Sequence, residues 1–75
     1  DASFLQVAAV SDLQTADRIS KRVSAALDRP VRVLGSGNLY KVQVGPLEES
    51  VRIESLKSAI ADAGFSGAFS VQAPR

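Results

Sequence analysis

Leu39-Tyr40-Lys41-Val42-Gln43-Val44 is the stretch from which the rest of the chain can be placed. Tyr40, Val42 and Val44 alternate with Leu39, Lys41 and Gln43, the period of two that sends successive side chains to opposite faces of a sheet. One set is apolar and the other mixed, so the strand belongs to a sheet covered on one side. Gly45-Pro46 breaks it at the far end. Before it, Gly35-Ser36-Gly37-Asn38 supplies residues that tolerate positive φ, a hairpin signal joining it to the short strand Val31-Arg32-Val33-Leu34.

Working outward, Phe4 to Val10 reads as another strand, with Leu5, Val7 and Ala9 on one face and Phe4, Gln6 and Ala8 on the other. Ser11 and Gln14 fit a capping box that opens a helix. Its apolar stripe is Leu13, Ala16, Ile19, Val23, Ala26 and Leu27, over about four turns. Asp17 and Lys21 form an i,i+4 pair worth only about 0.2–0.5 kcal/mol, and Pro30 closes the helical region. A second helix is expected from about Ser50, burying Ile53, Leu56, Ile60 and Ala63. Gly64 is its left-handed C′ residue and Phe65 the apolar partner of a Schellman motif. The last strand lies within Ala68 to Gln72 with Phe69 and Val71 inward, and Pro74 and Arg75 are expected to fray. The order is βαββαβ. It predicts an α+β fold of the ferredoxin or RNP-like kind, a four-stranded antiparallel sheet with two helices on one face.

Composition removes most chemistry. The 75 residues make one domain, spanning 1–75, with 45% hydrophobic residues to form its core. The absence of cysteine and histidine excludes thiolate metal sites, disulfides and histidine-based triads, and no metal or cofactor is expected. No catalytic residue can be nominated, because every acid falls on a helix, cap or turn. Glycoside hydrolysis needs two carboxyl groups facing each other across a cleft about 5–10 Å wide. A net charge of +1 offers no phosphate footprint. Nucleic acid is disfavoured further because Tyr40, the aromatic of the third strand, points inward, whereas RNA-recognition modules stack bases on outward aromatics there. The longest apolar run, Val7 to Val10, is too short to enter a membrane, and the opening Asp1-Ala2-Ser3 lacks the basic start of a signal peptide. Without an initiator methionine, the chain is expected to be cut from a larger protein and to act as a monomer.

The uncovered face is then the informative one. Strand parity gives it Phe4, Gln6, Arg32, Leu39, Lys41 and Gln43. Any one of these is an ordinary surface residue. Together they combine amide and cationic donors with apolar surface, the mixture that neutral sugars require.

Two segments carry a family resemblance. Phe4-Leu5-Gln6-Val7-Ala8-Ala9-Val10-Ser11 resembles the opening strand of the SPOR (sporulation-related repeat) domain. Tyr40-Lys41-Val42-Gln43-Val44-Gly45-Pro46-Leu47 resembles its second signature, usually Tyr-Arg-Val-x-x-Gly-Pro-Phe, with Lys41 for arginine and Leu47 for phenylalanine. Ala63-Gly64-Phe65 also fits. The resemblance implies noncatalytic binding of peptidoglycan glycan strands, GlcNAc-MurNAc polymers without stem peptides. It further implies a place in the bacterial periplasm or cell envelope, at the division septum. The parent would be a larger envelope protein carrying this domain at its C-terminus, such as a cell-division protein or a rare-lipoprotein-A-type lytic transglycosylase. Family ligand contacts map onto Gln6, the end of the first strand at Ala9 and Ser11, then Leu39, Lys41 and Gln43, with Phe4 and Arg32 beside them on the same face. The competing expectation is a module that recruits a cell-division protein through the exposed sheet face or an edge strand.

Overall fold

In the computed structural model, which describes residues 2–48 and 52–73, the chain runs β1 (Ala2–Val10), α1 (Leu13–Leu27), β2 (Val31–Ser36), β3 (Leu39–Leu47), α2 (Ile53–Asp62) and β4 (Phe69–Ala73). The strands form one antiparallel sheet in the order β2-β3-β1-β4. Both helices lie on one side, as the one-sided alternation of β3 requires. Leu5, Val7, Val42, Val44 and Leu47 from the sheet meet Ala16 and Val23 of α1 and Leu56 and Ile60 of α2 in one core. Among the described residues, no helix is long and apolar enough to cross a membrane.

The helix ends follow their local chemistry, with one correction. Asp12, not Ser11, caps α1. Its Oδ2 accepts from the Thr15 backbone N–H at 3.0 Å and from the Thr15 hydroxyl at 2.8 Å. A carboxylate accepting from N3 satisfies one of the unpaired donors of the first turn, and its charge suits the helix N-terminus better than a hydroxyl does. Leu13, expected in the apolar stripe, is instead exposed at the first turn, and Ala26 is exposed too. The stripe narrows to Ala16, Ile19, Val23 and Leu27. Asp17 and Lys21 form the anticipated pair at 3.0 Å. The C-terminus of α2 is the Schellman motif: Phe65 N–H donates to Ile60 C=O at 3.1 Å, Gly64 N–H to Ala61 C=O at 3.0 Å, and Gly64 has φ +103°. The Arg22 guanidinium lies 5.8 Å from the Phe65 ring centroid, tying α1 to this cap. The expected start of α2 near Ser50 falls outside the described residues; the helix is described from Ile53.

The sheet departs from simple alternation twice. Gln6 pairs with Gln43 but Ala8 pairs with Val42, so β1 carries one extra residue, Val7. This bulge turns Ala8 and Val10 toward the helices and Ala9, opposite Lys41, to the uncovered face. The parity reading that grouped Ala9 with Leu5 and Val7 is thereby corrected. A second shift lies at Gly45-Pro46, where β3 holds the extra residue and continues to Leu47 instead of stopping. Gly45 has φ +145°, and a Cβ there would meet Ser3 O at 2.9 Å and the Phe4 ring at 2.8 Å, so only glycine fits. The hairpin closes on Gly37-Asn38 alone. Positive φ at Gly37 but not Asn38 matches the type II′ turn, and β2 extends to Ser36.

β4 reverses its predicted facing. Phe4 pairs with Val71 and Gln6 with Phe69, so Phe69 and Val71 share the uncovered face with them. α1 packs over β1, β2 and β3, and neither helix packs on this edge strand to a comparable extent among the described residues, so little draws its apolar side chains to the covered side.

Val42 is fully buried between the sheet and the helices. Val42→Ala should lower unfolding free energy by about 2 kcal/mol in denaturant titrations, the scale of lost methyl burial plus a residual cavity. The Asp12 carboxyl is held below its ordinary range, first by the Thr15 hydroxyl and then by the Thr15 N–H. Its folded pKa is depressed, so its stabilisation is present above the ordinary carboxylate pKa and lost as pH falls through the lowered value. Between about pH 5 and pH 2, Asp12→Asn should lose less stability than the wild type, and an NMR titration of Asp12 should show a midpoint below that of a free aspartate.

Candidate functional site

The uncovered face is organised in rows set by strand pairing. Arg32 of β2 stands opposite Gln43 of β3, Gln43 opposite Gln6 of β1, and Gln6 opposite Phe69 of β4. One row thus crosses all four strands. The next consists of Leu34, Lys41 and Ala9, the one after of Ser36 and Leu39. Directly opposite residues on one face have Cβ atoms about 4.5–5.5 Å apart, so each row is a contiguous strip.

Hydrogen bonds bind the first row together. Arg32 Nε and Nη2 both donate to Gln43 Oε1, at 2.9 and 2.7 Å. Gln43 Nε2 donates to Gln6 Oε1 at 3.1 Å. The guanidinium carbon lies over the aromatic ring of Phe4, 3.7 Å from its centroid, a cation–π contact at close range. Phe4 in turn packs against the bare Cα of Gly45. Phe4 and Gln43, each only 4% exposed, are therefore on the face but beneath its surface. They support it. Gln6, Arg32 and Lys41 are partly exposed, and Ala9 and Ser11 exposed, Ser11 just beyond the end of β1.

The apolar component is larger than the sequence indicated. Leu39 is 42% exposed as expected, and it is joined by Leu34 at 41% and Phe69 at 50%. Leu34 shares the parity of Arg32 and was legible from that alone. Phe69 was not, because its facing depends on the β1–β4 register, which leaves no local signal. No acidic residue occurs on any of the four strands. The described acids sit on helices, caps and turns, and the ion pair between Asp17 and Lys21 belongs to α1. Arg32 and Lys41 therefore give a locally cationic face with no carboxylate pair for acid–base work.

The face is an open sheet surface. A concavity of about 600 Å³ lies elsewhere, lined by Arg29, Pro30, Pro46, Glu48, Arg52, Ser55 and Leu56. A flat strip of donors flanked by apolar side chains suits an extended polymer laid across the strands better than a small molecule enclosed in a cavity.

Comparison with known proteins agrees with this geometry. The SPOR domain family model matches residues 2–72. The endolytic peptidoglycan transglycosylase RlpA of Yersinia pestis is 31% identical over 70 residues, which are 93% of this chain but 19% of that protein. The chain therefore spans about a fifth of that relative. The solution structure of the peptidoglycan binding domain of the B. subtilis cell wall lytic enzyme CwlC superposes with a TM-score of 0.75 at 25% identity, covering 95% of this chain and 89% of that one. The crystal structure of the RlpA SPOR domain from Pseudomonas aeruginosa superposes with a TM-score of 0.82 at 20% identity, covering 95% and 99%, and shares the fold. With its βαββαβ order, one-sided helices and match over nearly the whole sequence, the chain belongs to the SPOR domain family.

Proposed function

We propose that this domain binds peptidoglycan glycan strands that lack stem peptides, through its uncovered sheet face and without cleaving them, and so brings its parent protein to the septal cell wall. A SPOR domain is a binding domain, and the face offers donors and apolar surface without a carboxylate pair. The relative CwlC supplies the ligand class, since its similarly folded domain is a peptidoglycan binding domain. The observation that carries the reading is the row Arg32–Gln43–Gln6–Phe69 beside Lys41 and Leu39. Amide and cationic donors meet acetamido and hydroxyl oxygens, and Leu39 and Phe69 meet the C–H faces of sugar rings.

The preference for stem-free strands has a charge explanation. Removing a stem peptide at its amide bond frees the lactyl carboxylate of N-acetylmuramic acid. Lys41, on a face whose strands carry no acid, is placed to accept that charge, and a charge-assisted hydrogen bond is roughly twice as strong as a neutral one. The parent is proposed to be an envelope protein whose catalytic activity, where present, resides in another domain.

A second reading draws on Leu34, Leu39 and Phe69, three large apolar side chains exposed on one face. They also suit recruitment of a division protein. Retention on protein-free, stem-free glycan favours sugar recognition; retention only on material that still holds its proteins favours the partner.

Gln6→Ala should weaken binding to stem-free glycan about tenfold in a sedimentation assay. Because it also leaves the buried Gln43 amide without its acceptor, the thermal unfolding midpoint should fall by about 4–8 °C while the domain stays folded at the assay temperature. Unchanged binding would remove Gln6 from the site. Reduction of the lactyl carboxylates to alcohols should weaken binding of the wild type and have little further effect on Lys41→Ala. Equal loss in both proteins, or none in either, would leave the charge explanation without support.

A further inference from the structure

The hydrogen-bonded row has a direction that chemistry alone fixes. A guanidinium has five N–H donors and no acceptor. Arg32 therefore requires the carbonyl end of Gln43, which turns the Gln43 NH₂ toward β1 and requires the carbonyl end of Gln6 in turn. Reversing either amide would set donor against donor. At Gln43 that clash would occur almost out of reach of water, since the residue is only 4% exposed. Arg32 is itself immobilised by its stacking on Phe4. The row thus ends in one unused polar group, Gln6 Nε2, which makes no hydrogen bond among the described residues. It is partly exposed at β1 beside Phe69.

We propose that Arg32 is a positioning residue: through Gln43 it locks Gln6 as an outward donor, and this makes the site selective for N-acetylated over N-deacetylated glycan. Two N–H groups at Gln6 accept nothing, so they match the carbonyl oxygen of an acetamido group and repel the ammonium left when that group is removed. Phe69 offers apolar surface on the same row for the acetyl methyl. A chain of amides polarised by a cation at one end also makes the terminal donor stronger than that of an isolated glutamine. The inference deepens the glycan reading given above and rests on it.

Gln43→Glu tests the polarity directly. A carboxylate at 43 accepts from Arg32 with one oxygen and from Gln6 Nε2 with the other, so Gln6 must reverse and present its carbonyl outward. Arg32→Met removes the source of the polarity while keeping an apolar cover over Phe4. The probe is stem-free glycan strands, as isolated and after chemical N-deacetylation, titrated in about 0.5 M salt so that exposed-charge effects are screened. Wild type should prefer the acetylated strands by about tenfold or more. Gln43→Glu should abolish or invert that preference, and Arg32→Met should bring the two affinities within about threefold of each other. Side-chain amide exchange by NMR supplies a readout that needs no ligand. The NH₂ of Gln43 should be protected and that of Gln6 unprotected in wild type, and the Gln6 NH₂ should become protected in Gln43→Glu. An unprotected Gln6 amide in that variant, or the wild-type preference retained in either folded variant, overturns the proposal. Wild type that binds both strands equally overturns it while sparing the glycan reading. Wild type that binds neither overturns both.

Discussion

Pairing Gln6 with Gln43 while Ala8 pairs with Val42 forces two successive residues of β1, Val7 and Ala8, toward the helices. The facing of β1 beyond Gln6 follows from that slip. Before it, Leu5 and Val7 enter the core and Gln6 faces away; after it, Val10 joins the core margin and Ala9 comes up beside Lys41. Without the extra residue, Ala8 would stand opposite Lys41, Val10 would turn outward, and Ala9 would take the covered side. A bulge in a central strand keeps both faces usable along its length.

The second slip, at Gly45-Pro46, does a related job at the other end of the sheet. It brings the backbone of β3 against Ser3 and Phe4 at a distance that excludes a β-carbon. Phe4 then fills the outer face under Arg32, so a small apolar cluster exists on the side without helices. A cation placed on that ring keeps its charge in contact with water at its edge while its flat side is packed. The polar row is in this way anchored on hydrophobic contact, which is why a face made mostly of amides and cations can hold a fixed arrangement in solvent.

Much of this was legible in the sequence. Alternation in Leu39 to Val44 gives the one-sided sheet, the 3–4 spacing gives both helices, and Ala63-Gly64-Phe65 gives a helix stop whose bonds the structure reproduces. Gln6, Arg32, Lys41 and Gln43 fall on the expected face because local parity holds between slips. What escaped depends on partners distant in the chain. The slip at Val7 is a property of two strands jointly, and neither Val7 nor Ala8 carries a turn residue to announce it. The facing of Phe69 and Val71 was mistaken because apolar side chains ordinarily turn to a core, and nothing in Ala68 to Gln72 reveals that neither helix packs closely on β4. Asp12 displaced Ser11 as the cap through a choice between adjacent good candidates, decided by Thr15. Burial of Gln43 was hidden for the same reason as the slip: it is Arg32, eleven residues earlier, that covers it.

The stacking of Arg32 on Phe4, and of Phe4 on Gly45, means that recognition and architecture share atoms at this corner of the domain. A library of random variants screened for loss of adhesion would return hits at positions no ligand ever reaches, and those hits would trace a line inward from the contact surface. Drift in related sequences at such inner positions would then retune what the surface accepts while every outward-pointing residue stayed the same.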